Sequence, residues 1–73
     1  MKKSIEAEEI ESLDVAGLGL VRKGLRVTHP LFGDGTVVAL FAFPHGGHSI
    51  GVEFVTVGYK ALVPEYAKLQ LSA

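Results

Sequence analysis

An all-β fold is what this sequence predicts: a small, strongly bent barrel of five strands behind an N-terminal acidic arm or short helix. Three observations carry the prediction. Apolar and polar residues alternate with period two over residues 25–29 and again over residues 49–57. Glycine and proline break the chain at Pro30, Gly33, Gly35, Pro44, Gly46, Gly47, Gly58 and Pro64, too often for long helices. The chain has 73 residues, a length suited to one small domain that buries about 60% of its unfolded surface.

Two parts follow from the pattern, an arm over residues 1–23 and a barrel over residues 24–73. In the arm, Ser4 is a candidate helix cap, with Glu6 in the first turn near the positive end of the dipole. Ala7, Ile10 and Leu13 make a narrow apolar stripe that would need a surface to dock on. Residues 15–21 alternate small and apolar side chains and suit an extended segment lying along another surface. The first barrel strand covers residues 25–29 and stops at Pro30, which cannot donate to a ladder. Gly33 and Gly35 flank Asp34 in a turn where both glycines suit positive φ. Residues 36–43 form an uncharged second strand, residues 49–57 the third and residues 59–63 the fourth. Pro64 opens one helical turn, and residues 68–71 close the barrel as a short fifth strand. Short strands and tight turns at this length argue a barrel of the SH3 or Tudor kind.

Composition narrows the function classes. There is no cysteine, so disulfides and thiolate metal sites are excluded. Apolar residues make up 48% and charged residues 21%, a globular balance rather than a disordered one. No apolar run reaches the roughly 18 residues of a membrane span, which points to a soluble, cytoplasmic protein with no membrane partner. The net charge of −1 divides unevenly: residues 1–14 set two lysines against five carboxylates, for −3, and the remainder carries +2. That small surplus is no footprint for strong nucleic-acid binding, although it allows weak, salt-sensitive contact through Arg22, Lys23, Arg26, Lys60 and Lys68.

Little in the sequence suggests catalysis. Ser49 beside His48 lacks a nucleophile elbow, and Asp34, Glu53 and Glu65 recur at no useful spacing. His45 and His48 are three apart, but two imidazoles fall short of a zinc site, and no cofactor is expected. The Gly33-Asp34-Gly35 turn lacks the helix and lysine of a phosphate loop. Among the aromatics, Phe54 shares parity with Ile50 and Val52 and belongs to the core, and Phe32 would plug one end of the barrel. If Leu40 and Ala42 point inward, Ala39, Phe41 and Phe43 make an apolar outer stripe. Residues 15–21, or a second copy in a homodimer, would cover it. A bulge would reverse that parity.

The run Gly24-Leu25-Arg26-Val27-Thr28-His29-Pro30-Leu31-Phe32-Gly33-Asp34-Gly35-Thr36-Val37-Val38 resembles the opening of the Tudor-like domain at the C-terminal end of UvrD/PcrA-type DNA helicases. That family opens on Gly-x-x-Val-x-His-x-x-Phe-Gly-x-Gly-x-Val. Its closing pattern is matched by Lys60, Leu62 and Tyr66-Ala67-Lys68-Leu69, and its central strand by Ile50-Gly51-Val52-Glu53-Phe54. The likeness spans residues 24–69, about two thirds of the chain. CarD-type RNA-polymerase-interacting domains look distantly similar in the same opening motif.

The resemblance implies a five-stranded SH3-like barrel without catalytic activity, acting as a docking part for RNA polymerase or a DNA-repair or transcription protein. Arg26, His29 and Lys60 match family positions that could face a partner, with Phe41 and Phe43 added by the exposed-stripe argument. Gly33, Gly35, Phe32, Leu62, Tyr66 and Leu69 match positions better explained by folding. The helicase motor is absent, so the chain reads as a free-standing module. No cluster of aromatics suggests a methyl-lysine cage.

Overall fold

The computed structural model describes residues 7–72. Its strands are β1 (Glu8–Glu9), β2 (Ser12–Val15), β3 (Gly19–Arg22), β4 (Arg26–His29), β5 (Gly33–Ala42), β6 (His48–Phe54), β7 (Gly58–Leu62) and β8 (Gln70–Leu71). One helical turn, α1 (Pro64–Ala67), lies between β7 and β8. All pairings are antiparallel, so the protein is small and mostly β with negligible helix.

The larger sheet runs β7-β6-β5-β4-β8, with β1 added beside β5, while β2 and β3 form a separate hairpin. The strands between residues 24 and 73 are thus five, β4 to β8, as the punctuation predicts. They do not close into a barrel among the described residues: β7 pairs with β6 alone and two-residue β8 with β4 alone, leaving both as edges.

β5 explains much of the arrangement. Its first half pairs with β4 through Gly33 to Thr36, and Phe41 and Ala42 at its far end pair with β1. The backbone N–H of Ile10 donates to the Leu40 carbonyl at 2.9 Å, extending that second contact. In place of either a loose arm or a short helix, the described part of residues 1–14 forms strands, β1 satisfying a free backbone edge of β5. The Ser4 cap and Glu6 lie outside the described residues.

Residues 15–21 also differ from the extended segment expected of them. Leu18 N–H donates to the Val15 carbonyl at 3.0 Å, and Gly17 and Gly19 take φ of 90° and 84°, closing β2 and β3 into a hairpin. That fold-back turns Val15, Leu18 and Val21 into the core, which also holds Val27, Val37, Leu40, Ile50, Val52 and Phe54. Phe32 packs against this core and meets Phe54 with ring centroids 5.3 Å apart, although among the described residues there is no closed barrel for it to plug.

The β5–β6 register jumps between Val37 and Ala39, so Val38 is the extra residue of a bulge. Val37 and Leu40 consequently both face inward, at 1% and 0% exposure, although three positions apart. The bulge is what makes the inward Leu40 parity hold. It does not expose Phe41 and Phe43, however, which are both half-buried. Phe41 lies opposite Glu9, so β1 runs alongside the stripe where residues 15–21 were expected to cover it.

The turn after β4 is Pro30–Phe32, and Gly33 alone of the two flanking glycines has positive φ, at 81°. Gly35 is a strand residue, buried opposite Val27 and Phe54. A Cβ there would stand 2.7 Å from Phe54 Cδ1 and Val52 Cγ1 and 3.0 Å from the Glu53 carbonyl oxygen. Gly35 is required for close approach of the core, not for turn geometry.

Candidate functional site

Residues paired across antiparallel strands share a face of the sheet, so the register assigns each expected partner-facing residue a side. Val37, Val52 and Lys60 form one row on the inner face. Arg26, Thr36, Glu53 and Tyr59 form another on the outer face. Arg26 and Lys60, grouped in the sequence reading, therefore lie on opposite faces of the sheet. Lys60 is exposed on edge strand β7, and its Nζ stands 5.5 Å from the centroid of the Phe32 ring.

His29 faces the turn. Its Nδ1 accepts the backbone N–H groups of Leu31 at 3.0 Å and Phe32 at 3.2 Å, which requires that this nitrogen carry no hydrogen. The imidazole stacks on Phe32 with centroids 4.4 Å apart and meets Phe54 edge-on at 6.0 Å. A side chain so engaged organises the turn.

A second turn is tied to the first. Thr56 Oγ1 donates to the Phe32 carbonyl at 3.0 Å, and Val55 N–H donates to the Asp34 carbonyl at 3.0 Å. Thr28 Oγ1 donates to Asp34 Oδ1 at 3.0 Å across the β4–β5 pair. This end of the sheet thereby holds Leu31 and Val55 in solvent at 83% and 82% exposure. Neither was a candidate in the sequence, where a lone apolar residue in a turn carries no signal.

The row Ala39–Gly51–Ala61 crosses β5, β6 and β7 on the outer face. The ring of Tyr59 lies over Gly51, and Tyr59, Ala61 and Val63 remain exposed along β7 and just beyond it. The far edge of β7 carries no strand among the described residues. Edge position together with exposed apolar side chains is a combination that folding alone does not explain.

The remaining candidates are dispersed. Phe43 stacks on His45 with centroids 5.6 Å apart, and His45 Nδ1 accepts the Gly47 N–H at 3.2 Å, so both serve the β5–β6 loop. Lys23 Nζ is 2.5 Å from Glu9 Oε2, Arg22 lies opposite Ser12 in the hairpin, and Lys68 follows α1 in a left-handed conformation. The five basic residues share no single face. No group of three histidine or carboxylate side chains is placed to hold a metal ion among the described residues, and no described helix is long and apolar enough to cross a membrane. No family model, curated protein or solved structure matches the chain.

Proposed function

We propose that the chain is a non-catalytic interaction module of the Tudor-like, SH3-like kind, which docks in the cytoplasm onto RNA polymerase or onto a DNA-repair or transcription protein. The observation that carries this reading is the unpaired edge of β7 with Tyr59, Ala61 and Val63 exposed beside it. An incoming strand would add to that edge through main-chain hydrogen bonds, and alternate side chains would select it. The pairing of β4, first strand after residue 24, with β8, the last, is consistent with an SH3-like unit opened at the β7–β8 side. The motif likeness over residues 24–69 supports the choice of partner.

The test is capture of partners from nuclease-treated lysate at low and high salt. RNA polymerase subunits should be retained in both, because strand addition is insensitive to salt, whereas contacts to phosphate weaken steeply. Tyr59→Ser with Val63→Ser should reduce retention about tenfold. Loss of every partner on nuclease treatment would overturn the reading in favour of nucleic acid, and recovery of the chain alone in favour of self-association.

A further inference from the structure

Three strands of the larger sheet have an open side among the described residues, and they are not alike. β1 is two residues long, and both are glutamates, Glu8 and Glu9. β8 is also two residues long, Gln70 and Leu71. Shortness and charge are means by which a sheet edge avoids taking up another chain. β7 has five residues, Gly58–Leu62, and a single charge, Lys60. Tyr59 and Ala61 are exposed on its outer face, so the apolar surface that invites pairing is present there.

A second copy of the chain would meet this edge under two-fold symmetry, strand antiparallel to strand. The register with the longest overlap sets Gly58 opposite the second copy's Leu62, and Tyr59 opposite its Ala61. That arrangement suits the outer face, where each aromatic ring comes beside a small side chain. On the inner face it sets Lys60 against its own counterpart, with Cβ atoms about 5 Å apart. The smallest shift that keeps the faces matched is two residues, which pairs less of the strand and leaves the lysines as diagonal neighbours. No carboxylate on that row offsets them, for its other members are the core residues Val37 and Val52. The ammonium is also held beside the edge, 5.5 Å from the Phe32 ring centroid. Among the described residues the one ion pair is Lys23 with Glu9, so Lys60 keeps its charge unneutralised.

We infer that Lys60 bars the β7 edge to a second copy of this chain, by opposing like charges across the two-fold axis. The inference rests on the reading of β7 as a docking edge and adds how that edge discriminates. A two-fold pairing must repeat Lys60 against itself, whereas a strand from another protein need not. The rest of the edge can then stay apolar for a foreign strand without the chain pairing with itself.

The experiment is amide hydrogen exchange of β7 in the full chain, followed by NMR at low and high protein concentration. The outward N–H groups of wild-type β7 should exchange freely at both. In Lys60→Val they should become protected as concentration rises, with sedimentation showing a dimer at least about tenfold tighter than any wild-type association. Lys60→Glu alone should behave as wild type, since it too meets its own charge. An equal mixture of Lys60→Glu and wild type should form a dimer that protects β7 and weakens with added salt. The mixture introduces no apolar residue, so it decides the matter even if Lys60→Val precipitates. Lys60 is exposed, and unchanged amide dispersion elsewhere will show that each variant folds.

Concentration-dependent protection of β7 in the wild type would overturn the inference, because the lysines would not be keeping two copies apart. Free exchange in the mixture, or in soluble Lys60→Val, would overturn it as well, since charge would not be what bars the edge. The two readings fail separately. A wild-type chain that pairs through β7 yet retains RNA polymerase subunits loses the bar and keeps the module. A chain that pairs only once Lys60 is changed, but retains no protein, keeps the bar and loses the module.

Discussion

Tyr59 lies across Gly51 from the neighbouring strand, so closely that a Cβ at position 51 would stand 2.5 Å from its Oη and 2.8 Å from its Cε1. A ring of this kind shields a strand glycine that has no side chain of its own to pack. The obstacle is the far end of a half-exposed side chain, which can swing away. Gly51→Ala should therefore change stability by less than about 1 kcal/mol, because recovered backbone entropy offsets the lost ring contact. Urea midpoints would check the energy, and displaced Tyr59 ring resonances would report the movement.

Gly35 is the contrasting case. The atoms around it belong to Phe54 and Val52, exposed by 2% and 0%, and to the Glu53 backbone, so none can withdraw into solvent. Gly35→Ala should cost about 2–3 kcal/mol by overpacking. Gly33→Ala meets open space but holds φ at 81°, and should cost about 1–2 kcal/mol. Denaturation of the three variants should rank position 35 worst and position 51 mildest. A reversed order of 33 and 35 would mean that turn strain outweighs crowding.

The acceptor at His29 Nδ1 sets a third expectation. His29→Asn keeps an acceptor near the same place and should retain the Pro30–Phe32 turn. His29→Leu removes it, leaving the N–H groups of Leu31 and Phe32 without that partner, and should cost about 1–2 kcal/mol. Thermal melting separates the two variants. Equal losses would assign the effect to the lost stacking on Phe32.

Val21 is fully buried in the core although it belongs to the N-terminal segment. Val21→Ala should cost about 2 kcal/mol from lost burial and the cavity left behind. An unchanged urea midpoint would show that the hairpin is an appendage after all.

The Lys23–Glu9 pair should contribute little, for its side chains are 53% and 51% exposed and screened by water. Glu9→Gln should alter stability by less than about 0.5 kcal/mol. A larger loss would mean that this contact, rather than backbone pairing, holds β1 on β5.

Much of β4 to β8 was legible because alternation and turn residues are local signals. Ile50, Val52 and Phe54 face the core as their parity requires. The N-terminal segment misled for a physical reason. Ile10 and Leu13, spaced as on a helix, are also what two short strands on either side of a kink would bury. What decides between them is the free edge of β5, some thirty residues away. The bulge at Val38 left no mark in an uncharged strand. The opposed faces of Arg26 and Lys60 follow from register, which pattern alone does not number.

The two-partner arrangement of β5 bears on how the chain is made. Residues 8–22 leave the ribosome before Phe41 and Ala42, which pair with β1, have been synthesised. At about 5–20 residues per second, the nascent segment waits some seconds with Val15, Leu18 and Val21 uncovered. Glu8, Glu9, Glu11 and Asp14, which flank that apolar stretch, then help keep it in solution until its partners are made.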